Sequence, residues 1–130
     1  MASLTFKRGE RLKSSKVISQ LFAGGCPSVK SYPILAVYTV IDEPRSDFPV
    51  QIAFSVPKRR FKSAVKRNQV RRKIKEAYRL QKAGLYEGIN LQEGHQLAIM
   101  LIYISNDLPE FNTIEKAIKK LISKLVTELS

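Results

Sequence analysis

The sequence predicts a single α+β domain: an α-β-β-α-β-α layered sandwich, with helices packed on a mixed sheet and one long basic helix. Three observations carry this expectation. The length of 130 residues and the 44% hydrophobic content suit one domain with a real core. Segments 34–41, 50–56 and 96–104 are short, apolar and rich in β-branched and aromatic residues. Between and around them, apolar residues recur at helical spacing, with no repeat, linker or low-complexity tract to divide the chain.

Residues 1–13 are polar and basic and are expected to be loosely ordered. Ser14 or Ser15 can cap a short helix whose apolar stripe is Val17, Ile18, Leu21 and Phe22. Gly24-Gly25 stops it. Ile34 to Ile41 reads as a strand, and Val50 to Val56 as a second strand stopped by Pro57. The Pro- and Asp-containing loop between them suggests a hairpin. Ser63 can cap a helix running to about Ala83, with Gly84 just past its end. Residues 84–95 then read as a connection. Gln96 to Ile104 is an almost continuous apolar run, as in a central strand covered on both faces. Pro109 suits the first turn of a last helix, whose stripe is Ile114, Ala117, Ile118, Leu121, Ile122, Leu125 and Leu129.

The charge is less ordinary than the pattern. The chain carries 23 Lys and Arg against 11 Asp and Glu, a net charge of +12. Between Lys58 and Lys82 there are twelve basic residues and one acid, Glu76, so nearly all of the excess lies in 25 residues. Such a block repels itself unless a polyanion neutralises it, which points to nucleic acid. On a helical wheel, Val70, Ile74, Ala77 and Tyr78 form a core face. Asn68, Arg71, Arg72, Lys75 and Arg79 fall on a separate face. Arg67 falls nearer the apolar side, where it packs or pairs rather than projecting freely.

Catalytic constellations are missing from the pattern. Cys26 is the single cysteine, so no internal disulfide can form and no second Cys or nearby His completes a zinc site. His95 is the single histidine, so any Ser-His-Asp or Cys-His site would have to use it, and at a strand start beside Gly94 a structural or surface role is expected of it. There is no phosphate-binding loop and no dinucleotide fingerprint. The N-terminus has no apolar run of signal-peptide length, and no segment approaches a membrane helix. The expectation is a cytoplasmic protein without membrane contact and without catalytic residues of its own.

The stretch Lys66-Arg67-Asn68-Gln69-Val70-Arg71-Arg72-Lys73-Ile74-Lys75-Glu76 resembles the signature of the bacterial ribonuclease P protein subunit, R-N-R-x-K-R-x-x-R-E. Upstream, Phe54-Ser55-Val56-Pro57-Lys58-Arg59 is similar to the family's strand end, and Ala64-Val65 to the A-V before its R-N. Arg11-Leu12-Lys13 and Leu21-Phe22-Ala23-Gly24-Gly25 resemble its R-L-K and V-F-x-x-G. Gln69 stands where the signature has its second Arg, Lys75 where it has another, and Ile18 where many members carry Phe. A lysine there is a point charge without the guanidinium fork.

The resemblance implies partners and roles. The partners are the ribonuclease P catalytic RNA and precursor tRNA, with no obligate protein partner. The RNA and its magnesium ions would remove the 5′ leader, the chain itself binding no metal. Contact with the catalytic RNA falls to Arg67, Asn68, Arg71, Arg72 and Lys75, flanked by Lys58, Arg59, Lys62 and Lys66. The leader falls to a cleft between the first helix and the sheet, for which Ile18, Phe22, Ile34, Ala36 and Tyr38 are the candidates. Phe22 has core packing as its competing role, and a one-residue slip in register would turn Tyr38 to the other face. A ribosomal or other structural RNA-binding protein is the alternative. A helix-turn-helix DNA regulator fits less well, because the basic helix follows a strand.

Overall fold

In the computed structural model, which describes residues 5–130, a four-stranded sheet carries one helix on one face and two on the other. A 3-10 turn, Arg8–Glu10, precedes α1 (Ser15–Phe22), β1 (Ser28–Ser31), β2 (Ile34–Ile41), β3 (Val50–Ser55), α2 (Ala64–Gly88), β4 (Gln96–Tyr103) and α3 (Phe111–Leu129).

The sheet order is β1-β2-β4-β3. β4 pairs antiparallel with β2 and parallel with β3. The expected hairpin of β2 and β3 is therefore absent, because the later strand lies between them. The reason is in β4 itself, whose run QLAIMLIY is buried along almost its whole length. A strand this apolar needs cover on both faces and a partner on both sides. α2 supplies the long crossover that a parallel β3–β4 pair requires. The polar strand β1, SVKS, pairs with β2 at the sheet's edge and had no apolar run to mark it.

The pairing register sorts side chains to two faces. Ile34, Ala36 and Tyr38 join Ile52, Ile99, Leu101 and Tyr103 beneath α2 and α3. Val70, Ile74, Ala77 and Leu85 of α2, with Ile114, Ile118 and Leu121 of α3, complete this main core. On the other face, Leu12, Val17 and Leu21 cover Ala98 and Met100.

Caps fix the helix starts. The Ser14 hydroxyl accepts from the Val17 N–H, and the Ser63 hydroxyl from the Lys66 N–H, each at 3.3 Å. Gly24 and Gly25, at φ of +89° and +86°, turn the chain away after α1. α2 runs past Gly84 to Gly88, beyond the expected stop. The fully buried Leu85 holds this extra turn in the core. At Gly88 a Cβ would come within 2.6 Å of Val126, so α2 and α3 approach closely there only because the residue is glycine. α3 begins at Phe111, later than expected. Pro109 precedes it, and its carbonyl accepts from Lys73 Nζ at 2.7 Å.

Residues 5–13 are not loose. Arg11 bridges to Ile52 at the outer edge of β3, where the Leu12 N–H donates to the Ile52 carbonyl at 3.0 Å. Glu10 is fully buried. Residues 1–4 lie outside the described residues. Among the described residues no helix is long and apolar enough to cross a membrane.

Candidate nucleic-acid interface

The basic segment divides into cations that hold the fold and cations that face solvent. Lys82 belongs wholly to the fold, although the sequence counts it in the charged block. It is 2% exposed, its ammonium lies 2.6 Å from Glu10 Oε1, and it donates to the Thr5 carbonyl at 2.6 Å. Burial pushes the Glu10 carboxyl up. The Lys7 backbone N–H, the Lys82 ammonium and the Tyr86 hydroxyl lower it by more, leaving it below its usual 4.5.

Arg67 holds the turn before α2. Its Nη1 donates to the carbonyls of Phe61 and Lys62, both at 2.9 Å. This is the packing role that its place on the wheel suggested. Lys73 is tied to Pro109, and Arg79 pairs with Glu76 at 2.6 Å, a contact that holds the Glu76 carboxyl below its usual range. Lys75 lies over the Phe6 ring, 5.4 Å from its centroid.

The solvent-facing set is Lys58, Arg59, Lys62, Lys66, Asn68 and Arg72, with Arg71 half-buried. Arg71 donates to Asn68 Oδ1 at 2.6 Å, which fixes the amide's orientation on the helix surface. Beside them, Gln69, Arg72, Lys73, Glu76 and Phe111 line an open groove of about 470 Å³. Gln69 thus faces this groove, giving it an amide where the signature would have a guanidinium. Asn68, Arg71, Arg72 and Lys75 do share a face, with Lys58 to Lys66 at its entrance. The arrangement can neutralise a row of phosphates and offer an amide to a sugar or base edge.

The cleft needs correcting by one residue. Ile34 and Ala36 are fully buried and Tyr38 is 6% exposed, all three beneath α2 and α3, so none of them can meet a ligand on the α1 side. β2 is apolar at nearly every position, so its sequence did not reveal which alternate set faces which way. The residues that do face α1 are Leu35, Val37 and Thr39 of β2, opposite Ile102, Met100 and Ala98 of β4. Ala53 continues the Val37–Met100 row on β3. Ile18 packs half-buried against this side. Phe22, one turn on, is 55% exposed, which removes core packing as its role.

Among the described residues no three His, Cys, Asp or Glu side chains come together as a metal site.

Comparison with known proteins follows the same lines. A profile of the family described as Ribonuclease P matches residues 6–126. The "Ribonuclease P protein component" of Porphyromonas gingivalis is 37% identical over 125 residues, covering 95% of this chain and 88% of that one. The protein of the same description from Chlorobium phaeobacteroides is 29% identical over 128 residues, covering 93% and 88%. Two solved structures share the fold. The RNase P protein of Thermotoga maritima superposes with a TM-score of 0.64 at 17% identity, over 88% of this chain and 96% of that one. The RNase P protein of Staphylococcus aureus gives 0.64 at 17% identity, over 88% and 94%. A basic helix capped at Ser63, a sheet with β4 at its centre and a family match over nearly the whole chain agree: this chain belongs to the ribonuclease P protein family.

Proposed function

We propose that this chain is the protein subunit of a ribonuclease P ribonucleoprotein and assists 5′ maturation of tRNA by holding two RNAs at once. The solvent-facing cations of α2 and its entrance bind the catalytic RNA. The α1 side of the sheet binds the single-stranded leader. The bonds are broken in the RNA subunit, which also holds the magnesium; this chain positions and neutralises. The observation that carries the reading is the uncompensated basic face around Asn68 and Arg72, set in a chain that matches the family from residue 6 to 126.

The groups have simple tasks. Lys58, Arg59, Lys62, Lys66 and Arg72 offset phosphate repulsion, while Asn68 hydrogen-bonds at a sugar or base edge. Arg67 keeps the turn 57–63 in place, so that those cations arrive as a set. In the cleft, Phe22 can stack on an unpaired base, with Ile18, Leu35 and Val37 giving an apolar wall that does not read sequence.

Reconstitution tests the whole reading. Added to a ribonuclease P RNA at low magnesium, the protein is expected to raise precursor-tRNA cleavage severalfold or more; no increase would reject the role and favour a structural RNA-binding protein. The leader contact has its own measurement. Base stacking on an aromatic is worth about 1–3 kcal/mol, so Phe22→Ala should weaken precursor-tRNA binding by roughly 5- to 150-fold. Mature tRNA, which has no leader, should bind as before. Equal losses for both would remove Phe22 from the cleft.

A further inference from the structure

A second cationic groove lies away from α2. Arg8, Gly9, Arg11, Lys13, Ser14, Arg45 and Gln51 enclose about 520 Å³ at the outer edge of β3. Its four cations are all exposed, no carboxylate lines it, and none of the four is in an ion pair among the described residues. Arg11 additionally lies over the Phe6 ring at 5.9 Å. By contrast, Lys82 finds a carboxylate and Lys73 a carbonyl. This group is left to solvent at one spot.

The groove also holds an unsatisfied polar group. Gln51 is 5% exposed. Its Nε2 donates to the Gly9 carbonyl at 3.1 Å and reaches Ser46 Oγ at 3.5 Å. These contacts fix the amide's orientation and leave Oε1 as a buried acceptor with no hydrogen-bond partner among the described residues. Buried acceptors are almost always paired in folded proteins, so an exception calls for a donor.

Those two facts suit a ligand that brings an anion with a hydrogen-bond donor beside it. An anion suits the cations, but a phosphate diester brings no donor for Gln51. DNA adds none at its sugar. A ribose places a 2′-hydroxyl, a donor as well as an acceptor, beside the 3′-phosphate. We propose that the groove formed by Arg8, Arg11, Lys13 and Arg45 around Gln51 is a ribose-phosphate site for single-stranded RNA, separate from the basic face of α2. Gln51 pairs in register with Ala98, so it stands on the α1 side of the sheet. The site thus lies at one end of the surface assigned to the leader, and the inference rests on that reading.

The strand could come from the substrate leader or from a single-stranded part of the RNA subunit. Lys13→Ala with Arg45→Ala removes two exposed cations of the groove that belong neither to the basic face of α2 nor to the apolar wall around Phe22. The first measurement titrates the full chain with RNA and DNA oligonucleotides of the same sequence. The wild type is expected to prefer RNA severalfold. The double variant should bind RNA about tenfold more weakly, with a salt slope shallower by about 1.4 for two lost single-strand contacts, and with the preference for RNA reduced. An unchanged affinity, or a wild type that binds RNA and DNA equally, overturns the proposal.

The second measurement uses the reconstituted ribonucleoprotein. A loss confined to precursor tRNA over mature tRNA assigns the groove to the leader. A loss confined to RNA-subunit binding assigns it to that RNA. No loss in either overturns it. Failure of the underlying reading is seen separately, as a wild type that does not stimulate cleavage.

Discussion

Glu10→Ala is expected to destabilise the protein by about 3–5 kcal/mol, because it leaves the Lys82 ammonium buried without a counter-charge. For a chain of this size that lowers the melting temperature by roughly 10–20 °C. The carboxylate gathers three donors from two parts of the fold. Its oxygens accept from the Lys7 N–H at 2.7 Å, from Lys82 at 2.6 Å and from the Tyr86 hydroxyl at 2.5 Å. It therefore ties the N-terminal strap to the last turns of α2. Replacing both partners, Glu10→Leu with Lys82→Met, should recover much of the loss, since an apolar pair of similar volume avoids burying either charge. Thermal melts of the two single variants and the double variant measure this coupling. A Glu10→Ala variant that melts within about 2 °C of wild type would show that the pair contributes little.

The same carboxyl sets an acid limit. Its folded pKa lies below the usual 4.5, so the folded state favours the ionised form. The stabilisation is fully present above the unfolded value and is lost as pH falls through the lower, folded one. Stability should fall below about pH 4.5 in the wild type, and Glu10→Gln should flatten that limb.

Lys66→Ala with Arg72→Ala should weaken binding to the RNA subunit by about ten- to a hundredfold. If about six phosphates are contacted, log K for the wild type should fall with log salt at a slope of roughly −4 to −5. The double variant should lower that slope by about 1.5. Arg67→Ala should behave differently. Its guanidinium is spent on Phe61 and Lys62, so its loss should appear in stability and in the order of turn 57–63, with little change in slope. A wild-type slope near zero would remove electrostatic RNA binding altogether.

The elements that bury a one-sided apolar stripe were legible in the sequence. α1, the core face of α2, α3 and the doubly covered β4 all follow from spacing. The neighbours of β4 did not follow, because a loop between two strands reads as a hairpin whether or not a later strand inserts between them. Tyr38 shows a second limit. In a strand apolar on both faces, alternation carries no register, and the half-buried pair Leu35 and Val37 looks like the buried pair Ile34 and Ala36. Lys82 shows a third. Nothing local distinguishes a lysine paired with a glutamate 72 residues away from one bathed in water. The sequence marked the cations as a group, and the structure was needed to separate those that hold the fold from those that face solvent.

The position of β4 has a consequence for how the molecule comes into being. While the chain is being synthesised, β1 and β2 can pair as soon as both have emerged. β3 has only the short bridge to Arg11 until residues 96–103 are made. The newborn chain thus carries an apolar strand with open hydrogen-bonding edges, followed by a densely cationic segment, for some 40 further residues. The insertion of one late strand closes both edges at once, so folding of the sheet waits on the last third of the message.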